Sequence, residues 1–316
     1  MKRKADLWDY IMLLRPTLMM PVWMFLFYGH YAAKFRGLLH GFDLPFCGRF
    51  WLAMLSLTLI SATAYIVNQI FDIETDRINK KLFLLPEGII TVRSAWLYTA
   101  ALSVVGLAIA FYMGREPFIL LTVIWITGFL YSVPPFRFKG RPVIDMVWNG
   151  LGYGFLTFLL GYWSFSQRID RAALISSIPY ILAVFGVYAE TTIADIEGDR
   201  RDGAITIGVL LGERATAVVG AVLMLASAVT ALVLKDIMAF IPAAVTAIVF
   251  IYTPFVPKER FLKSVKFAFR LSGAIYAVNI GIHYPIYVLI GVVVYAGMKV
   301  YYKNRFGLNY PSLNED

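Results

Sequence analysis

Nine apolar runs, at about 16–33, 50–70, 92–113, 117–132, 143–165, 172–193, 215–234, 238–256 and 282–301, decide what solvent this chain can fold in. Most match the roughly 20 residues a helix needs to cross the hydrocarbon core of a bilayer, and the fourth is short and proline-flanked. Lipid cannot hydrogen-bond a bare backbone, so spanning segments must be helices or a closed barrel. The runs are continuous rather than alternating, which selects helices. With 59% hydrophobic residues, a mean hydropathy of +0.70 and only 16% charged residues, the composition lies far from that of soluble chains. The expected fold is an all-α membrane protein, a single domain over 1–316 formed by a bundle of about nine transmembrane helices. "MKRK" looks like the start of a cleaved signal, but Arg15 and Pro16 interrupt the run that follows and no clear cleavage site appears. That run reads as the first membrane helix.

The net charge of +9 raises nucleic acid as a partner, but in a membrane chain the positions of the basic residues matter more. Nine crossings would put the N-terminus and the loops after the second, fourth, sixth and eighth runs on one side. Those segments, with Arg93 at the edge of the third run, carry 19 of the 29 Lys and Arg. Positive residues favour the cytoplasm, so the N-terminus is expected inside and the C-terminus outside. The charge is a topology signal, and no nucleic-acid partner is expected. Cys47 is the one cysteine, which excludes an internal disulfide and a cysteine metal cluster. His30, His40 and His283 are scattered and read as packing or interfacial residues, so any metal must be held by oxygen. Lys258, Arg260, Lys263, Lys266 and Arg270 interleave with Phe261, Phe267 and Phe269. That string reads either as a basic amphipathic helix on an anionic membrane surface or as a packed loop helix.

The sharpest local pattern is acidic. "YIVNQIFDIETDRINK" at 65–80 and "YAETTIADIEGDRRDG" at 188–203 share seven residues at matched places without a gap, and each follows an apolar run. The match fits an internal duplication or convergence on one function. Asn68, Asp72 and Asp76 are spaced by four, as are Asp195 and Asp199, which stacks each set on one helix face. Carboxylates so close repel one another and are costly near a bilayer, so a cation is expected between them. Oxygen-only donors point to Mg2+, commonly shared between a few carboxylates and substrate phosphate. Solvated helix ends would account for one such pair less strainedly than for two. Glu74 and Glu197 fall on another face, and Glu190 lies just over a turn before Asp195. Between the two strings, "YSVPPFRFKGRP" at 131–142 offers Arg137, Lys139 and Arg141 after a helix-ending Pro134-Pro135. Basic side chains opposite acidic ones suit a diphosphate; a positive-inside anchor is the plainer alternative. Arg77 and Arg200, each directly after the last Asp of its string, share both readings.

These residues resemble a known family. "NQIFDIETD" is similar to the N-x-x-x-D-x-x-x-D signature of the UbiA-type intramembrane prenyltransferases, and "DIEGD" to their second D-x-x-x-D signature. "YSVPPFRFKGRP" looks like the loop between their fourth and fifth helices, and Arg15-Pro16 resembles the start of their first. The resemblance implies a UbiA-like bundle in which Asn68, Asp72, Asp76, Asp195 and Asp199 coordinate magnesium and a diphosphate. It implies that Lys139 and the neighbouring arginines bind phosphate oxygens, and it sets Tyr131 and Ser132 near the reacting carbon. "NKKLFLLPEG" departs from the family's Arg-Pro and Pro-Ser-Gly continuation, with Lys80 and Lys81 standing in for an arginine. "TIG" at 206–208 stands where relatives often have "TLP". "DIEGDRRDGAITIGVLLG" looks closer to homogentisate, chlorin and glyceryl-lipid prenyltransferases than to hydroxybenzoate or haem ones, and "RFKGRPVIDMVWNG" is similar to carotenoid-elongating members.

The implied activity joins an isoprenoid diphosphate to a lipophilic or aromatic acceptor. Magnesium and basic residues stabilise the departing diphosphate, a dry bundle shields the allylic cation, and aromatics such as Tyr131 offer it their faces. A transporter with a carboxylate-lined cation site is the competing class. It should hold its charges near the midplane between broken helices, whereas these strings are expected at cytoplasmic helix ends.

Overall fold

The apolar runs fold as helices, and the computed structural model describes residues 4–45, 47–78, 83–201, 203–308 and 310. Among these there is no strand. Helix α1 (Leu7–Leu13) meets α2 (Pro16–Phe35) at a bend of 52°. The bend has a local cause: Arg15 adopts a left-handed conformation, φ 55°, and Pro16 opens α2, where its missing N–H costs nothing. Then follow α3 (Gly48–Phe71), the short α4 (Ile73–Ile78), α5 (Val92–Met113) and α6 (Arg115–Ser132). Helix α7 (Ile144–Asn149) continues through a π-helical stretch, Gly150–Thr157, into α8 (Phe158–Ser166). The remainder is α9 (Arg171–Ala194), α10 (Ile196–Arg201), α11 (Ile207–Leu211), α12 (Glu213–Val233), α13 (Ile237–Tyr252), α14 (Lys258–His283) and α15 (Pro285–Phe306).

Among the described residues seven helices are long and apolar enough to cross a membrane, eight if α1 and α2 form one bent span. Helix α6 and the run 144–166 lie alongside them. One of the seven, α14, was not among the nine expected runs, because its first half carries five Lys and Arg that dilute the hydropathy. The basic string at 258–270 is therefore not a helix laid on the membrane. It is the first half of α14, whose Phe261 and Val265 are buried against Ile193, Ile196 and Ala217 while Lys258, Arg260 and Lys263 stay exposed.

Added to the count, α14 reverses the expected placement of the chain's end. Arg305, in the last turn of α15, pairs with Asp9 of α1 at 2.7 Å and donates to the carbonyl of Lys4. Gln69, near the end of α3, donates to the carbonyl of Leu13. At the opposite end the Asp43 amide bonds the carbonyl of His283, and the Met238 amide that of Gly37. Helix α14 thus runs from one end of the bundle to the other, and α15 returns to the end where the chain begins.

Helix α3 packs on α5 and α6; α9 packs on α12 and the π-helical stretch; α14 lies on α9 and α13; and α15 closes on α14 and α2. Lipid supplies no hydrophobic force between helices, so small residues that let backbones approach do the work. Gly29 of α2 and Gly161 of α8 show it: a Cβ on the first would collide with the carbonyl of Phe158, and on the second with that of Leu26. Val104, Phe111 and Ile248 point outward, exposed, as a lipid-facing surface requires.

Candidate functional site

The two acidic strings fold alike. Helices α3 and α9 are each 24 residues long and each stops one residue before an aspartate. Asp72 has φ −101° and ψ 10°, Asp195 φ −105° and ψ 3°, and each is followed by a six-residue helix, α4 or α10. The kink does not lose the four-residue register. The Asp76 amide bonds the carbonyl of Asp72, and the Asp199 amide that of Asp195, both at 2.8 Å.

The loop after α6 joins the strings. Its Lys139 amide bonds back to the carbonyl of Tyr131 at 3.0 Å, and its Gly140 carbonyl accepts from the Ile205 amide at 2.8 Å, beyond α10. Gly140 has φ +74° and lies so close to Ala204 that a Cβ would clash with it; only glycine meets both demands. Lys139 Nζ reaches Asp72 Oδ2 at 2.5 Å, while Asp199 Oδ2 accepts from Thr206 Oγ1 at 2.8 Å. Asp72 is nearly buried and the lysine is 41% exposed, so the pair borders solvent rather than sitting in the core.

Between these groups lies a cavity of about 650 Å3, lined by Asp72, Asp195 and Asp199 on one hand and Arg137, Lys139 and Arg141 on the other, with Tyr131 as part of its wall. Arg141 also covers the Phe138 ring at 5.7 Å and donates to the carbonyl of Pro135. Two mostly apolar cavities adjoin it. One, about 250 Å3, includes Arg15, Tyr65, Asn68, Tyr131 and Tyr153 in its wall; the other, about 280 Å3, is bounded by α2, α9 and α14 together with Asn149 and Tyr153.

Not every expected residue converges. Asn68 lines the first apolar cavity and donates to Ser132 Oγ at 3.4 Å; Ser132 is buried. Arg15 belongs to that cavity too, not to the acidic one, because the left-handed turn before α2 sets it beside Leu18 and Tyr65. Asp76 is half-buried and outside the cavity wall. Arg77 turns away, held by Glu74 at 2.8 Å and by the carbonyl of Pro86, since one residue past Asp76 is 100° around a helix. Arg200 is exposed beyond the wall for the same reason, and Glu190 is buried outside it. Lys80 and Lys81 lie outside the described residues. The spacing argument missed Thr75, Thr191, Thr192 and Thr206, which bring hydroxyls to the cavity, and Tyr188. Tyr188 did leave a signal, being the counterpart of Tyr65 in the repeated string.

Fold and site together define a class: a multi-pass helical membrane protein with a polar, doubly charged cavity at one end of its bundle and apolar cavities behind it. Residues 22–273 match the UbiA prenyltransferase family, and the chain belongs to it. Among curated relatives it is 31% identical over 206 residues to the 2-acylphloroglucinol 4-prenyltransferase of Humulus lupulus, covering 60% of this chain and 48% of that one. It is 29% identical over 211 residues to the digeranylgeranylglyceryl phosphate synthase of Sulfolobus acidocaldarius, covering 62% and 70%. The matched segments thus span about half the length of the plant relatives. In fold, a digeranylgeranylglyceryl phosphate synthase structure superposes with a TM-score of 0.65 at 21% identity, over 91% of this chain and 98% of that one. A UbiA homolog from Archaeoglobus fulgidus, solved with GPP and Mg2+, gives 0.61 at 22%, over 86% and 99%.

Proposed function

We propose that the chain is a Mg2+-dependent prenyltransferase that moves an isoprenoid chain from a polyprenyl diphosphate to a lipophilic or aromatic acceptor. One observation carries this: three carboxylates and three basic side chains line a single cavity that shares Tyr131 with an apolar one. Membership of a prenyltransferase family supports it.

The donor set fits magnesium. Asp72, Asp195 and Asp199 present hard oxygens, with Asn68 and Asp76 close by in sequence and fold. Among the described residues no three His, Cys, Asp or Glu side chains converge closely enough to grip an ion unaided. A magnesium ion there would have to be held by one or two of these carboxylates together with substrate phosphates. When bound, the ion supplies positive charge to the leaving oxygens.

Lys139, Arg137 and Arg141 bind diphosphate oxygens, the lysine exchanging its contact with Asp72 for one with phosphate. The bond between the donor's first carbon and its oxygen breaks, and the electron pair departs with the diphosphate. Tyr131, at the boundary between polar and apolar cavities, offers its ring face to the allylic cation. The acceptor's carbon or oxygen forms the new bond and its proton leaves with solvent or diphosphate at the polar mouth. The acidic strings, the basic loop, the start of α1 and the last turn of α15 face the cytoplasm, a reading supported by the clustering of Lys and Arg at that end. A transport site would place its charges near mid-membrane, whereas Asp72 and Asp195 stand at helix C-termini.

The test is turnover by the purified protein in liposomes. Geranyl, farnesyl and geranylgeranyl diphosphates are offered with magnesium or a chelator, against quinone-precursor, chlorin, glyceryl-phosphate and carotenoid acceptors. Magnesium-dependent diphosphate release with a prenylated product is expected. Failure to bind any diphosphate under either condition would sink the proposal.

A further inference from the structure

Three tyrosines separate the three cavities pairwise. Tyr131 lies in the walls of the polar cavity and the first apolar one; Tyr188 in those of the polar cavity and the second; Tyr153, beside Asn149, in those of the two apolar cavities. Tyr153 is the one of the three that lies outside the polar cavity.

Its position is fixed from several sides. Its hydroxyl lies 3.0 Å from that of Tyr65, which also hydrogen-bonds the Leu18 carbonyl, so the pair ties the π-helical stretch to α3 and α2. That stretch carries Gly150, Gly152 and Gly154. A Cβ on Gly150 would run into the Phe185 ring, and one on Gly154 into the backbone of Ile181. The segment is therefore pressed against α9 and cannot draw Tyr153 back. Helix-interior π-turns recur at functional sites because they re-aim a side chain; here the side chain is aimed between two cavities.

The second apolar cavity shares two wall residues with the polar one, Tyr188 and Thr191, and its remaining wall is nearly all hydrocarbon: Met24, Phe25, Val184, Val187. The first shares only Tyr131 and holds Arg15, Asn68 and Thr127. A diphosphate in the polar cavity thus finds its apolar continuation past Tyr188. Each apolar cavity alone, at about 250 and 280 Å3, falls short of the roughly 300–1,000 Å3 of a small-molecule site.

We infer that Tyr153 is a specificity-determining residue for the isoprenoid donor: its ring ends the second apolar cavity and sets the length of tail that is bound there. The inference rests on the prenyl diphosphate reading above. Removing the ring, the bulkier of the two wall residues that the cavities share (the other is Asn149), would join them and let a longer tail continue toward Arg15 and Gly152.

The experiment is equilibrium binding of geranyl, farnesyl and geranylgeranyl thiolodiphosphates, which do not react, to detergent-solubilised protein with magnesium. Wild type, Tyr153→Phe, Tyr153→Ala and Tyr153→Leu are compared. For wild type and Tyr153→Phe, affinity should stop rising with tail length before the longest ligand. For Tyr153→Ala it should keep rising, so that the ratio of longest to shortest exceeds the wild-type ratio by about tenfold, as burial of added methylenes implies. Tyr153→Leu, between them in bulk, carries the test if the alanine variant does not fold. Identical length profiles in wild type and the truncated variants would overturn the inference while leaving the donor assignment intact. A Tyr153→Phe profile like that of Tyr153→Ala would overturn the ring as the barrier. Wild type that binds none of the three ligands would remove the donor reading and this inference with it.

Discussion

Asp72 and Asp195 adopt nearly the same backbone angles at the ends of two helices far apart in sequence, and each brings its carboxylate to one cavity. If they hold charge against a departing diphosphate, Asp72→Asn or Asp195→Asn should lower kcat/KM by about 100-fold or more, the usual cost of one preorganised electrostatic contact. Melting temperature in detergent should move little, because both side chains border the cavity. Full activity in either variant would remove that residue from the site. At the far end of the bundle Asp236, in the link between α12 and α13, caps α13 through the Ala239 amide and accepts from Tyr180. Burial pushes its carboxyl up from 3.8 to about 6. A raised carboxyl pKa means that the folded state holds the proton more tightly than the unfolded chain. Its stabilising effect is present in full below about pH 3.9 and is lost as pH rises through about 6, a swing on the order of 3 kcal/mol. Asp236→Asn keeps the cap and does not titrate. The stability difference between it and wild type should therefore widen from pH 4 to pH 7 in its favour, as read by melting temperature across that range.

At the scale of elements, close backbone approach holds the bundle together. Gly161→Val puts a branched side chain where α8 meets the Leu26 carbonyl of α2. Overpacking of that kind costs about 1–3 kcal/mol, and a lowered melting temperature should report it. Gly140 presents the opposite balance. It sits in the loop that ties the basic side chains to the second acidic string, outside the main helix contacts. Gly140→Val should therefore lower diphosphate affinity about tenfold or more through displaced Lys139 and Arg141, with a smaller effect on melting than Gly161→Val. A variant with wild-type affinity would show that the stitch does not position the loop.

Across the whole molecule, the route of α14 fixes which chain ends are neighbours. With Cys47 replaced by serine, cysteines introduced singly at Lys4 and Gly307 should react with an impermeant maleimide from the same face of sealed vesicles. The native Cys47, before α3, should react from the other face. Labelling of positions 4 and 307 from opposite faces would contradict a crossing α14.

The sequence by itself determined the solvent, the helical class and the two acidic strings with the basic loop between them. Those depend on local quantities: hydropathy over about 20 residues and a four-residue spacing that a helix converts into a face. It also carried the family resemblance, which the match over residues 22–273 bears out. Tertiary structure decided what depends on neighbours far along the chain. Five basic residues hid the span in α14 because window hydropathy cannot know that Phe261 and Val265 will be covered by α9 and α12. Arg77 and Arg200 stand 100° around the helix from Asp76 and Asp199, and tertiary structure adds what holds Arg77 away from the cavity, Glu74 and the carbonyl of Pro86. Tyr153 gave no signal in sequence at all, since a tyrosine among glycines becomes a partition only when a π-turn, α9 and Tyr65 close around it.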